Sequence, residues 1–169
     1  RVVAPNVFAA NGDSSLSPQL GILSLTGKLS AQGSTLLIAR EFETDESRGD
    51  ASLIEITSSA TPFDASGIAT ELTKLEGITK PAALTYNREG THVFIADNDK
   101  IWLMNMQDYS KQLVTSSIFI DKKGDGSRIG NNVTTLAIHP TLDYLYVAAG
   151  TNGLIMVDLT TGNRITLVK

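Results

Sequence analysis

Residues 134–159 read TTLAIHPTLDYLYVAAGTNGLIMVDL, and residues 82–106 read AALTYNREGTHVFIADNDKIWLMNM. The second stretch is an earlier copy of the first. Leu84 falls on Leu136, Tyr86 on Ile138, Val93 on Leu145, Ile95 on Val147 and Ala96 on Ala148, all at an offset of 52. After a one-residue slip in the turn, Ile101 matches Leu154, Trp102 matches Ile155 and Met106 matches Leu159. Each unit therefore reads strand, turn, strand, turn, strand. Self-similarity at this period marks a repeat architecture, so it outranks any local reading.

The turn chemistry agrees. Asn87-Arg88-Glu89-Gly90 and His139-Pro140-Thr141-Leu142-Asp143 stand where the chain must reverse. Asn98-Asp99 and Thr151-Asn152-Gly153 supply the next reversal, and Thr161-Gly162-Asn163 the last. Asn, Asp, Gly and Pro favour such positions because they tolerate left-handed backbone or cap their own turn. The intervening strands carry apolar residues on both faces: Leu145 and Val147 on one, Tyr144 and Tyr146 on the other. A half-exposed sheet would alternate apolar with polar, whereas stacked blades bury both faces.

A weaker copy lies in residues 33–57, where Gly33-Ser34-Thr35-Leu36-Leu37-Ile38-Ala39 resembles Gly90-Thr91-His92-Val93-Phe94-Ile95-Ala96. Ser52-Leu53-Ile54-Glu55-Ile56 supplies its next strand. The expectation is an all-β chain of about three antiparallel β-propeller-type blades, an incomplete ring. It is read as one partial propeller domain over 1–169, with units at about 20–60, 78–118 and 130–169. Expected strands are 35–39, 52–56, 83–87, 92–97, 101–106, 134–138, 144–149 and 154–159. Between 60 and 80, Ile68, Leu72 and Leu75 fall at helical spacing after Asp64 and before Gly77. That segment reads equally as a short helix or as a blade's outer strand. The expected core is Leu84, Ile95, Trp102, Leu136, Ile138, Val147, Ile155 and Val157.

Leu145-Tyr146-Val147-Ala148-Ala149, followed by Gly153-Leu154-Ile155-Met156-Val157-Asp158-Leu159-Thr160-Thr161-Gly162, resembles the blade signature of YVTN and lactonase-type propellers. Leu37-Ile38-Ala39-Arg40, Leu53-Ile54-Glu55-Ile56, Glu76-Gly77 and Ile95-Ala96-Asp97-Asn98-Asp99 resemble, in pieces, the esterase-like phytase propellers. The second resemblance implies phosphoester hydrolysis, but no full catalytic set of that family is matched here. These motifs are blade features, so they speak for fold before activity.

Composition narrows the partners. Of 169 residues, 41% are hydrophobic and 19% charged, which supports a sizeable core and argues against disorder. The net charge is −4, and Lys122, Lys123 and Arg128 are interleaved with Asp121 and Asp125, so no basic footprint for nucleic acid forms. With no cysteine, there is no disulfide framework, Cys-based zinc site or Cys nucleophile. No apolar run reaches the ~18 residues of a membrane span. A start at Arg1 without Met reads as a processed or trimmed chain, and the Ser, Thr, Asn and Gly content favours an extracytoplasmic, periplasmic or secreted, location.

Several residues invite chemistry. Calcium wants several carboxylate oxygens. Its candidate ligands are Asp97 and Asp99 at a tight turn, and Asp45, Glu46 and Asp50 in the acidic loop that begins at Glu41 and Glu43. That loop also contains Arg48-Gly49-Asp50, which spells the integrin-recognition tripeptide but reads more simply as a chance triplet. Asp121-Lys122-Lys123-Gly124-Asp125-Gly126-Ser127 looks like a calcium loop, but it has Lys at the third position and Asn132 at the twelfth, so it reads as an Asp/Gly turn. His92 and His139, the two histidines, lack a G-x-S-x-G elbow to serve and read as structural. Asn132-Val133-Thr134 is a glycosylation sequon, and Tyr86, Tyr109, Tyr144 and Tyr146 read as packing between blades.

Two functions follow. The first is a non-catalytic binding or assembly module whose ring is completed by another protein chain, a second copy or missing sequence. The alternative is a piece of a phytase-like or lactonase-like hydrolase acting on phosphoesters or lactones, which requires a convergent set of titratable groups at the channel mouth. About three blades are too few to close, since rings need ~4–8. A terminal blade face should therefore be covered by something.

Overall fold

The computed structural model describes residues 22–30, 33–41, 51–58 and 68–169. They form three four-stranded antiparallel sheets, each a meander in chain order. Sheet 1 holds β1 (Ile22–Ser30), β2 (Gly33–Glu41), β3 (Ala51–Ser58) and β4 (Ile68–Lys74). Sheet 2 holds β5 (Pro81–Tyr86), β6 (His92–Asp97), β7 (Lys100–Asn105) and β8 (Lys111–Ser116). Sheet 3 holds β9 (Thr135–Ile138), β10 (Tyr144–Ala148), β11 (Leu154–Asp158) and β12 (Arg164–Val168). Sheets 2 and 3 thus each carry a fourth strand beyond the three expected, and sheet 1 adds β1 and β4 to the two expected there. The chain divides between Thr79 and Lys80 into two units.

In the first unit, the ambiguous segment is a strand. β4 pairs along β3, with a bulge where Leu53 faces Thr73 and Ile54 faces Glu71, leaving Leu72 as the extra residue. Helical spacing of three apolar residues is a weak signal beside Ile68, Thr70 and Thr73, whose branched side chains suit a pleated ladder. Leu75 and Ile78 beyond it are buried, and Leu75 N–H donates to Ala51 O at 2.7 Å.

In the second unit, sheets 2 and 3 meet through β5 and β9. Register fixes which face each residue takes, because residues directly opposite in an antiparallel pair share a face. In sheet 2, Ala83–Ala96–Ile101 and Phe94–Leu103 lie on one face. In sheet 3, Leu136–Val147–Ile155 and Ile138–Leu145–Val157 lie on one face. These two faces form a single core, joined by Val114, Ile129, Val133 and Ala149.

Leu84, Ile95, Leu136, Val147, Ile155 and Val157 are buried as expected. Ile138 and Trp102 are only partly buried, which corrects the expected core. Trp102 lies in the row Leu84–Ile95–Trp102–Leu113, and burial falls along that row toward the outer strand. The ammonium groups of Lys100 and Lys111 stand 5.7 and 5.6 Å from its ring centre. Among the described residues, no helix is long and apolar enough to cross a membrane.

Candidate interaction surface

The connector from β8 to β9 decides how sheet 3 is held. Its Gly124 and Gly126 have φ of +73° and +105°, and a Cβ on either would stand 1.9 Å from the carbonyl oxygen of Gly162 or Arg164. Only glycine admits that approach. Asp125 O accepts the Arg164 N–H at 2.7 Å, and Arg164 O accepts the Ser127 N–H at 3.2 Å. The Asp/Gly stretch that looked like a calcium loop is thus a strap along the start of β12. Its Asp121 pairs with Lys100 and its Asp125 with Lys122, both at 2.6 Å.

Beneath the strap, Arg164 is buried. Its guanidinium donates to the carbonyls of Ser127 (2.8 Å), Lys123 (2.8 Å), Gly162 (3.2 Å) and Gly124 (3.3 Å), and to the Thr115 hydroxyl. Thr115 Oγ in turn donates to Gly162 O at 2.6 Å. Burial pushes the Arg164 pKa down, and the charges of Asp125 and Asp99 pull the other way. A planar fork of donors can saturate several fixed carbonyls at once, so one cation fastens β8, the strap and β12.

The two aspartates of the β6–β7 turn differ in role. Asp99 is buried, and its Oδ1 accepts from Ser117 Oγ (2.7 Å), Gly130 N (2.7 Å) and Arg128 Nε (3.1 Å). Its Oδ2 accepts from Arg128 Nη2 at 3.0 Å. Arg128 holds the Asp99 carboxyl well below the ordinary 3.8, at about 2, with help from Ser117 and Gly130 and against the effect of burial. Asp97 Oδ1 accepts the Lys80 N–H at 2.8 Å and Asn98 Nδ2 at 3.1 Å. Both carboxylates therefore serve the chain itself. Among the described residues, no three His, Cys, Asp or Glu gather in metal-holding range. Asp45, Glu46 and Asp50, with Glu43 and the Arg-Gly-Asp triplet, lie outside the described residues.

On the opposite rim, Arg88 in the β5–β6 turn reaches the β9–β10 turn. It donates to His139 O at 3.0 Å and to Leu142 O, and pairs with Asp143 at 3.2 Å. His139 Nδ1 accepts the N–H groups of Thr141 (3.1 Å) and Leu142 (2.9 Å), which caps its turn. His92 shares a 2.9 Å hydrogen bond with the Thr91 hydroxyl. Both histidines hydrogen-bond to residues one to three positions away in sequence.

Among the described residues, the other face of sheet 3 is left partly exposed. Register aligns Ala137–Tyr146–Met156–Ile165 and Thr135–Ala148–Leu154–Val168 across it. Ile165 and Val168 are 58% and 62% exposed, and Tyr146, Ala148, Leu154 and Met156 are half-buried. The His139 ring borders this face, 5.9 Å from Tyr146 and 6.4 Å from Tyr144. By the repeat, Tyr146, Ala148, Leu154 and Met156 occupy the positions of Phe94, Ala96, Ile101 and Leu103. In sheet 2 those four residues pack against the next sheet. The sequence held this signal, because Tyr144 and Tyr146 alternate with Leu145 and Val147. It did not show which of the two faces was already covered.

Four-stranded antiparallel meanders stacked face to face through their first strands are blades of a β-propeller. A chain from the crystal structure of a nidogen/laminin complex is similar to this one, with a TM-score of 0.59 and 14% sequence identity. The similarity covers 88% of this chain and 48% of that one, so the chain spans about half the length of the structure it matches. At that identity the likeness concerns the fold. No protein-family profile matches the sequence, and no curated protein matches it.

Proposed function

We propose that the chain is a non-catalytic β-propeller module that binds or assembles with protein, with the open face of sheet 3 as its docking surface. The observation that carries this reading is the repeat equivalence of Tyr146, Ala148, Leu154 and Met156 to residues that form the core between sheets 2 and 3. A contiguous apolar face of this kind marks an interaction site more often than a free surface. The occupant it fits is another blade-type sheet. The YVTN-type signature of Leu145–Ala149 supports the same repeat class, and an extracytoplasmic setting rests on the Ser/Thr/Asn/Gly-rich composition.

The hydrolase reading needs free, convergent titratable groups. Asp97 and Asp99, its best candidates in the described residues, are engaged by backbone N–H groups and Arg128. The test joins two measurements. An apolar fluorescent dye should bind the isolated chain and lose most of its signal in Met156→Glu. An aryl phosphate and an aliphatic lactone should be turned over no faster than in buffer. Turnover that Asp97→Asn abolishes in a folded variant would replace this reading with the enzymatic one.

A further inference from the structure

We propose that the strap is an edge guard: it occupies the outward hydrogen-bonding groups of β12 and keeps the β12 of a second copy from pairing there. The outermost strand of a sheet is a template for further strands, because one row of its N–H and C=O groups has no neighbour. β12 is the outermost strand of sheet 3, and its start is already taken. Gly126 bridges to Arg164 in parallel sense. The Arg164 N–H donates to Asp125 O at 2.7 Å, and the Arg164 carbonyl accepts from Ser127 N at 3.2 Å. Two residues on, Ser127 Oγ accepts the Thr166 N–H at 2.9 Å and the Thr166 hydroxyl at 2.7 Å. Beyond Thr166 the strand bulges. Ile155 faces Thr166 and Leu154 faces Val168, so Leu167 breaks the ladder where the strap ends.

The outer strands of sheets 2 and 3 differ in their need for such cover. β8 exposes Lys111 and Gln112 at its start, and a charged edge discourages an incoming strand. β12 exposes Ile165 (58%), Leu167 (45%) and Val168 (62%), an apolar edge of the kind that pairs and aggregates. The strap over it is fastened twice. Arg164 donates to the carbonyls of Lys123, Gly124 and Ser127, and Lys123 bridges to Ser116 of β8. The guard acts on the edge of sheet 3 rather than on its face, so it holds whatever covers that face.

Ser127→Ala removes the acceptor that Thr166 uses, and Gly126→Ala forces the strap off the Arg164 carbonyl. At micromolar concentration and neutral pH, both variants should keep the parent's far-ultraviolet circular dichroism yet develop thioflavin fluorescence, while the parent stays dark. Adding Leu167→Lys to either should abolish the rise, because a charge on the edge then replaces the lost cover. Val157→Ala weakens the buried core and leaves the strap intact. Compared at temperatures that unfold equal fractions, it should stay dark too. If Gly126→Ala does not fold, Ser127→Ala alone decides. Folded strap variants that stay dark overturn the proposal, as does a parent or a Val157→Ala protein that brightens as much as they do. A rise that Leu167→Lys leaves unchanged overturns it as well, since the assembly would then run through some other surface.

Discussion

Asp99 and Arg128 form a forked ion pair across 29 residues of chain, Nε to Oδ1 at 3.1 Å and Nη2 to Oδ2 at 3.0 Å. The pair ties the β6–β7 turn to the connector that leads into sheet 3. The Asp99 end is buried, while the Arg128 side chain is 75% exposed. Water therefore screens one partner, and the pair contributes less than its geometry alone suggests.

This pair gives the fold a pH dependence of definite sign. The Asp99 carboxyl is lowered from 3.8 to about 2, first by Arg128. A folded-state value below the unfolded one contributes stability above the unfolded value, and that contribution is lost as pH falls from 3.8 through about 2. Asp108, Asp125 and Asp158 are lowered as well, by Ser110, Lys122 and Thr161 respectively, so the raw acid transition is composite. Asp99→Asn should cost about 1–2 kcal/mol at neutral pH. Denaturant midpoints of parent and variant, measured from neutral pH down to about 2, should converge at the acid end.

Arg164 is held more deeply, by four carbonyls and the Thr115 hydroxyl. Arg164→Met strands those acceptors under the strap and should cost about 3 kcal/mol or more. Arg164→Lys should recover little, because an ammonium on a flexible stem cannot span carbonyls spaced for a planar fork. Urea denaturation of the three proteins checks both statements.

Gly124 and Gly126 lie against the backbone of Gly162 and Arg164 with positive φ. Gly124→Ala and Gly126→Ala should each destabilise by more than ~1 kcal/mol, since neither the space nor the backbone conformation admits a Cβ. The exposed Lys122→Ala should stay within about 0.5 kcal/mol. The same denaturation curves decide it, and equal losses at all three positions would contradict the strap.

Trp102 buries its indole Nε1 with no hydrogen-bond partner among the described residues. Trp102→Phe removes that unsatisfied donor while keeping an aromatic ring between Lys100 and Lys111, so it should cost less than ~1 kcal/mol. Trp102→Ala should cost less than the ~3–5 kcal/mol of a fully buried tryptophan. Thermal unfolding of the two variants, compared with the parent, measures both.

The sequence by itself determined the repeat, the strand pairs around each Asn-, Asp- or Gly-rich turn, and the apolar character of both blade faces. Those features are local, written in residues a few positions apart. It left out β1, β8 and β12; the outer strands Lys111–Ser116 and Arg164–Val168 carry half-polar patterns that read as loop. It also left β4 between helix and strand, since only pairing with β3 and its bulge at Leu72 decides that segment. Asp99 was legible as a turn acid, but its bond to Arg128 was not. The strap over Arg164 was equally hidden, for Gly124 and Gly126 make sense only beside β12. Such contacts join residues whose separation in sequence carries no period, so only the packing of one sheet on the next could assign them. The same packing decided that Leu145 and Val147 face a neighbour while Tyr146 and Met156 are left open.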